Sequence, residues 1–274
     1  MRFQTRSVLR LLLTLGLVAG LSACGPRPSD RGEPRPGRSS NGFTVTRANF
    51  GESKPVDWNG NPPSSHQVHG IDISVWQGAV DWPVAKANGV NFAFLKATEG
   101  GDHEDQAFLF NWRQADAAGV ARGAYHFFYH CRPAAEQARW FIAHVPRSPG
   151  ALPPVLDVEW TPRSPTCPGK RPAELVRAEA QVFLKIVGRA YGQRPILYTT
   201  VDFYRENELW RLNGVDFWLR SVAAHPSDRF PGQHWLFWQY SGTGQVPGIA
   251  GPTDLNVYAG SATQFTAWLA SHRK

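Results

Sequence analysis

The sequence predicts an α/β fold, a closed TIM-like barrel of five βα units followed by three strands, (β/α)5β3. Three observations lead there. Eight short apolar runs recur from about Val68 onward, each of strand length. Only the first five are followed by a stretch of helical period or helix-forming composition, the arrangement of a parallel sheet with crossover helices. The chain has 274 residues, 42% of them hydrophobic and 19% charged, enough to bury one large core or two small ones and too apolar for a disordered protein.

The elements follow in order. The strands begin with HGIDISVW (69–76), NFAFLKAT (91–98), ARGAYHFFYH (121–130), PPVLDVEW (153–160) and PILYTT (195–200). Between them run the helical stretches Val84 to Asn88, Gln106 to Ala118, Ala134 to His144 and Ala173 to Tyr191, with Gly89, Gly119 and Gly192 as stop signals. A fifth, short helix is expected around Phe203 to Trp210. Then VDFWLR (215–220), WLFWQY (235–240) and Asp254 to Tyr258 read as strands without convincing helices between them, and Ala262 to Ser271 as a closing helix. No internal repeat and no separate C-terminal binding module is evident.

The amino terminus carries an address. Arg2, Arg6 and Arg10 precede the apolar run Leu11 to Leu21, about half the ~20 residues a spanning helix needs. The run ends in Leu21-Ser22-Ala23-Cys24, which resembles a bacterial lipobox. That ending implies a signal peptide over 1–23, cleavage before Cys24 and acylation of its sulfur, so that several acyl chains anchor an exported lipoprotein in the cell envelope. Gly25, rather than Asp, after Cys24 points to the outer membrane if the cell has one. Residues 24–66 read as a Pro/Gly/Arg-rich linker: 25–41 contains no aliphatic or aromatic side chain, and Phe43, Phe50 and Trp58 are scattered among polar residues as the linker runs into an edge of the domain. The barrel itself is expected over 67–274.

Net charge and cysteine content narrow the partners. The formal charge is +7, and taking away the three leader arginines leaves +4, too mild to argue for nucleic acid. With Cys24 assigned to lipid, Cys131 and Cys167 remain, an even pair in an exported chain and so expected to form a disulfide. They fall after the third and fourth strands, adjacent at the barrel mouth. No metal-ligand spacing, phosphate loop or nucleotide fingerprint occurs, so no cofactor is expected. The protein is expected to be a monomer.

The chemistry should sit at the C-terminal ends of the strands. A parallel barrel strand is covered on both faces, and an acidic residue in its apolar run is costly unless it faces the mouth. In Val155-Leu156-Asp157-Val158-Glu159-Trp160 the period of two puts Asp157 and Glu159 on one face and Leu156, Val158 and Trp160 on the other. Repulsion and desolvation should separate their proton affinities, leaving one a neutral acid able to protonate a leaving group. Asp72 stands at the end of the first strand and Asp254 at the start of the last; in a closed barrel those strands are neighbours.

Together, Gly70-Ile71-Asp72-Ile73-Ser74, Leu95-Lys96-Ala97-Thr98-Glu99-Gly100, Gly123-Ala124-Tyr125-His126-Phe127, Leu156-Asp157-Val158-Glu159, Ile196-Leu197-Tyr198-Thr199, Trp238-Gln239-Tyr240 and Asp254-Leu255-Asn256 resemble glycoside hydrolase family 25, the Chalaropsis-type lysozymes. The resemblance runs from about Val68 to Lys274, seven motifs in order. It implies the same five-plus-three barrel and cleavage of the β-1,4 bond between N-acetylmuramic acid and N-acetylglucosamine in peptidoglycan. It also implies Glu159 as general acid and Asp157 as the group that orients or polarises the substrate 2-acetamido group as it attacks the anomeric carbon, a substrate-assisted route. Asp72 and Asp254 complete the acidic site; a direct nucleophile or base role for one aspartate stays open. Tyr125, Phe127, Tyr198, Trp238 and Gln239 match positions that line the groove in the family.

The chain departs from the family at Trp218-Leu219-Arg220-Ser221-Val222, where Trp-x-Ala-x-Tyr is common, placing a cation where a small residue is usual. Two other readings stand beside the muramidase: a wall-binding lipoprotein that holds glycan without cutting it, and a glycosidase on another N-acetylated polymer such as chitin. Four clustered acids argue against the pure binder.

Overall fold

The computed structural model describes residues 43–58 and 60–272. The expected signal peptide, the acylated Cys24 and the tether over 25–41 lie outside the described residues.

In chain order the elements are β1 (Gly51–Glu52), β2 (His69–Ile73), α1 (Trp82–Ala87), β3 (Phe92–Glu99), β4 (His103–Glu104), α2 (Phe108–Ala117), β5 (Ala121–Phe127), α3 (Ala134–His144), β6 (Val155–Val158), α4 (Ala173–Tyr191), β7 (Ile196–Thr200), α5 (Val201–Glu206), β8 (Asp216–Arg220), α6 (Pro226–Arg229), β9 (Phe237–Gln245), β10 (Thr253–Tyr258) and α7 (Ala262–Ser271). Their ends follow local chemistry. Asp81 accepts the Val84 N–H at 3.1 Å to start α1, and Ser261 forms a capping box with Gln264 to start α7. On α4, Val176, Ala180, Phe183, Leu184 and Val187 make one buried stripe, and Gly192 at φ 66° ends the helix. The helix expected over 203–210 is split by Glu208 at φ 49° into α5 and a 3-10 turn at Leu209–Arg211.

Eight strands close into a barrel in the order β2-β3-β5-β6-β7-β8-β9-β10. Neighbours from β2 to β9 are parallel; β10 runs antiparallel to both β9 and β2 and completes the ring. The fold is the α/β barrel predicted from the apolar runs, with β1 and β4 as short additions on β9 and β3.

Strand alternation divides the core in two. Outward-facing Ile71, Ile73, Ala93, Leu95, Leu156, Val158, Leu197, Leu219, Trp238 and Leu255 belong to the layer between barrel and helices. Inward-facing Phe92, Phe94, Val155, Ile196, Tyr198, Trp218, Phe237 and Tyr258 form a separate cluster with Phe265 and Leu269 of α7. Within the bore Phe94 stacks on Trp218 at 4.6 Å, and Phe92 meets Phe237 at 4.8 Å. Two glycines make room for these rings: a Cβ on Gly70 would lie 2.6 Å from the Phe92 ring, and one on Gly123 would lie 2.8 Å from that of Phe94.

Residues 43–66, read above as linker entering an edge of the domain, pack along the barrel. Phe43 meets Phe265 at 5.6 Å, Phe50 meets His69 at 6.0 Å and Trp58 meets Trp238 at 5.1 Å. Thr46 and the Asn91 side-chain amide exchange two hydrogen bonds of 2.8 Å, and β1 pairs with β9. The reason is topological: no long helix follows β8 or β9, and this segment covers part of the outer face left bare there. The barrel domain therefore extends amino-terminally beyond residue 67.

Candidate active site

The bore changes character along its axis. Towards the C-terminal ends of the parallel strands its inward positions become polar, and a cleft of about 440 Å³ opens there, lined by Asp72, Lys96, Tyr125, Phe127, Asp157, Glu159, Tyr198, Trp218, Arg220, Gln239 and Asp254, with Ser74 and Trp76 at its edge. The four expected acids converge from three places in the chain, β2, the end of β6, and β10, whose Asp254 is the register partner of Asp72.

Asp72 is the most tightly held. It is 7% exposed, and its Oδ1 accepts the Gln239 amide at 2.9 Å and the Asn256 amide at 2.7 Å. Each donor is fixed in turn: Tyr198 donates its hydroxyl to Gln239 Oε1 at 3.0 Å, and Trp218 donates its indole N–H to Asn256 Oδ1 at 2.7 Å. Burial, reinforced by the Asp254 charge, pushes the Asp72 carboxyl well above the usual range despite those two donors. Burial likewise pushes Asp254 up to about 6, with Arg220 opposing.

Asp157 and Glu159 form the second acidic group. Asp157 is 6% exposed, and its Oδ1 is buried without a hydrogen-bond partner among the described residues. Burial first, and the neighbouring Glu159 charge second, push Asp157 well above the carboxylate range. Burial also raises Glu159, while Arg220 pulls it down. Two close carboxyls in a dry site share protons, one holding a proton while the other is ionised. The unpartnered Asp157 Oδ1 leaves one hydrogen-bonding position of this pair open.

The flanking groups sort by parity along each strand. Tyr125, Phe127, Tyr198 and Gln239 face the cleft. Trp238 does not: it is 0% exposed, packs outward against Trp58, and donates its indole N–H to the Ser221 carbonyl at 2.8 Å. Adjacent strand residues point to opposite faces, so Gln239 inward requires Trp238 outward. The expectation that Trp238 lines the groove is therefore corrected.

Three lining residues escape the sequence reading. Trp218 has the parity of Arg220 and faces the cleft. Lys96 interrupts an apolar strand just as the aspartates do, a signal of the same kind; its Nζ sits 2.6 Å from Glu99 Oε2 and 4.9 Å from the Phe127 ring centre. Glu99 also accepts the Tyr129 hydroxyl; although burial raises its carboxyl, these two donors hold it below the usual range. Trp76 is 86% exposed on the turn after β2, a flat apolar face at the rim.

Cys131 and Cys167 are joined in a disulfide. It ties the loop after β5 to the loop after β6, which begins at Glu159; within that second loop Thr161 donates its hydroxyl to the Cys167 carbonyl at 2.8 Å. Among the described residues no group of three or more His, Cys, Asp or Glu is arranged to hold a metal ion.

The sequence model of the family described as "Glycosyl hydrolases family 25" matches residues 71–249. The uncharacterized protein YegX of Escherichia coli K12 is 40% identical over 215 residues, 76% of this chain and 75% of that one. Lysozyme M1 of Streptomyces globisporus is 34% identical over 277 residues, covering 94% and 89% of the two chains. Among solved structures, a family 25 glycosyl hydrolase from Bacillus anthracis superposes with a TM-score of 0.68 at 35% identity, over 74% of this chain and 94% of that one.

Proposed function

The chain belongs to glycosyl hydrolases family 25 and is a glycoside hydrolase, and on that premise we propose that its cleft cleaves the β-1,4 bond between N-acetylmuramic acid and N-acetylglucosamine in peptidoglycan, with Glu159 as the acid and Asp157 assisting the substrate. The observation that carries this reading is the buried, unpartnered Asp157 Oδ1 beside Glu159.

Docking a muramic acid ring would place its acetamido N–H on Asp157 Oδ1. A donor there favours the ionised form of Asp157, and the resulting charge favours the proton on Glu159. Glu159 then passes its proton to the glycosidic oxygen as the C1–O bond breaks. The acetamido carbonyl oxygen closes on C1, and Asp157 stabilises the positive charge spreading onto the amide. A water deprotonated by the Glu159 carboxylate reopens that ring from the same face as the departed sugar, restoring the Glu159 proton. Asp72, clamped by Gln239 and Asn256, holds the opposite wall, and the half-buried Tyr125 and Phe127 offer aromatic surfaces for sugar rings. The reading extends to location: the exported chain is held to a membrane by lipid on Cys24, and it works as a monomer on nearby glycan strands.

The test is mass spectrometry of soluble fragments from purified peptidoglycan treated with the protein or with its Glu159→Gln variant. Fragments with reducing N-acetylmuramic acid ends, released by the first and nearly absent with the second, are expected. Fragments ending in N-acetylglucosamine would assign a different bond. Labelled palmitate incorporated into the protein in cells, and lost in Cys24→Ser, is the expected sign of the anchor.

A further inference from the structure

Going round the barrel mouth in sheet order, charge alternates. Carboxylates occupy β10 and β2 (Asp254, Asp72) and, half a barrel away, the end of β6 (Asp157, Glu159). Cations occupy β3 (Lys96) and, four strands round, β8 (Arg220). The two cations are used differently. Lys96 is committed to Glu99 at 2.6 Å and to the face of Phe127. The Arg220 side chain is half-buried in the cleft wall and, among the described residues, makes no hydrogen bond and no ion pair within 4.0 Å, although its charge reaches Glu159, Asp254 and Asp72.

A guanidinium is permanently charged and offers a planar fork of N–H donors that fits a carboxylate bidentately. Left without a direct partner beside four acids, it is a receptor for an anion brought by the substrate. Every second ring of the proposed substrate carries a lactyl ether at C3. Where a stem peptide is attached, that lactyl carboxyl is a neutral amide; where the peptide has been removed, it is a free carboxylate on the sugar itself. We propose that Arg220 is a specificity-determining residue that binds the free lactyl carboxylate of peptide-free muramic acid and directs the enzyme to denuded glycan strands. The assignment rests on the muramidase reading for its substrate and goes beyond it in naming which strands are cut.

The experiment compares kcat/KM of the full protein on peptide-free strands, on the same strands with peptides attached, and on N-acetylglucosamine oligomers that lack the lactyl group. Arg220→Gln and Arg220→Lys are run beside it, and binding of the same three substrates is measured with Glu159→Gln and with Glu159→Gln/Arg220→Gln. The unmodified protein is expected to favour peptide-free over peptide-bearing strands by about tenfold or more, the size of a charge-assisted hydrogen bond. Arg220→Gln should bring that ratio close to one, and Arg220→Lys should keep part of it. Any influence of Arg220 on Glu159 acidity acts on all substrates alike and cancels in the ratio. Absence of a preference in the unmodified protein, or a preference that survives Arg220→Gln, overturns the assignment. Failure to cleave any wall, with Arg220-dependent preference still present in binding, overturns the muramidase reading and leaves Arg220 as an anion receptor.

Discussion

At one end of the barrel bore the inward positions of β3, β7 and β9 are Phe92, Ile196 and Phe237; towards the other end they are Lys96, Tyr198 and Gln239. The backbone period is the same at both ends, so the contrast lies only in which side chains sit at successive turns of the pleat. The aromatic end, plugged by Phe265 of α7, excludes water and holds the strands at fixed spacing. The polar end uses that rigidity to keep four carboxyls in a partly desolvated space where their proton affinities rise. Stability and chemistry are thus stacked along one axis, and apolar burial below offsets the cost of acids above.

That division can be broken from either end. Glu159→Gln should lower kcat by about a thousandfold or more, within the range for loss of a general acid, while leaving the melting temperature nearly unchanged because the amide keeps the shape of the carboxyl. A large fall in melting temperature would show that the polar end also holds the fold. Phe94→Ala should do the reverse, costing roughly 3–5 kcal/mol in urea unfolding through the cavity it leaves, with the folded fraction still hydrolysing peptidoglycan. Removing the disulfide with Cys131→Ser leaves every strand paired but frees a loop of sequence separation 36, for an expected loss of about 4 kcal/mol and a broader distribution of Glu159 positions, read as lower kcat with little change in KM.

The pH dependence sharpens the comparison further. The Asp254 carboxyl is raised to about 6, so between the unfolded value near 4 and that pH the folded chain holds a proton the unfolded chain has released. Stability from this group is therefore greatest below the unfolded pKa and declines as pH rises through the window, by roughly 2–3 kcal/mol in all. Asp254→Asn should flatten the decline in chemical-denaturation curves taken from pH 4 to 7. Glu159, also raised, is protonated in its proposed role as acid, and activity should fall as pH climbs past its raised value. The smallest effect belongs to the rim: Trp76→Ala should reduce kcat/KM by several-fold through lost stacking, with no change in unfolding, whereas Trp238→Ala should unfold the protein more easily.

The eight barrel strands were legible because each is an apolar run of strand length, and the clustered acids because a carboxylate inside such a run has few places to go. Lys96 carries the same signal, a charge inside an apolar run, and lines the cleft as the acids do. The motif Trp238-Gln239-Tyr240 cannot line a groove as a unit, because a strand that turns Gln239 inward turns Trp238 outward. The packing of 43–66 left no local trace: Phe43, Phe50 and Trp58 follow no period, and their partners Phe265, His69 and Trp238 stand far along the chain.

From the order of residues alone came the class of fold, the presence of paired carboxyls on β6 and the family resemblance, since these rest on periods of two and 3.6 and on the cost of burying charge. Tertiary structure decided what no local pattern contains. Closure of β10 against β2 set Asp254 beside Asp72, the strand order placed Lys96 and Arg220 across the mouth from each other, and the fold left the Arg220 side chain without a direct partner among the described residues. The physical reason is that proton affinity and pairing depend on which groups meet through space, and a closed barrel brings together residues almost two hundred positions apart.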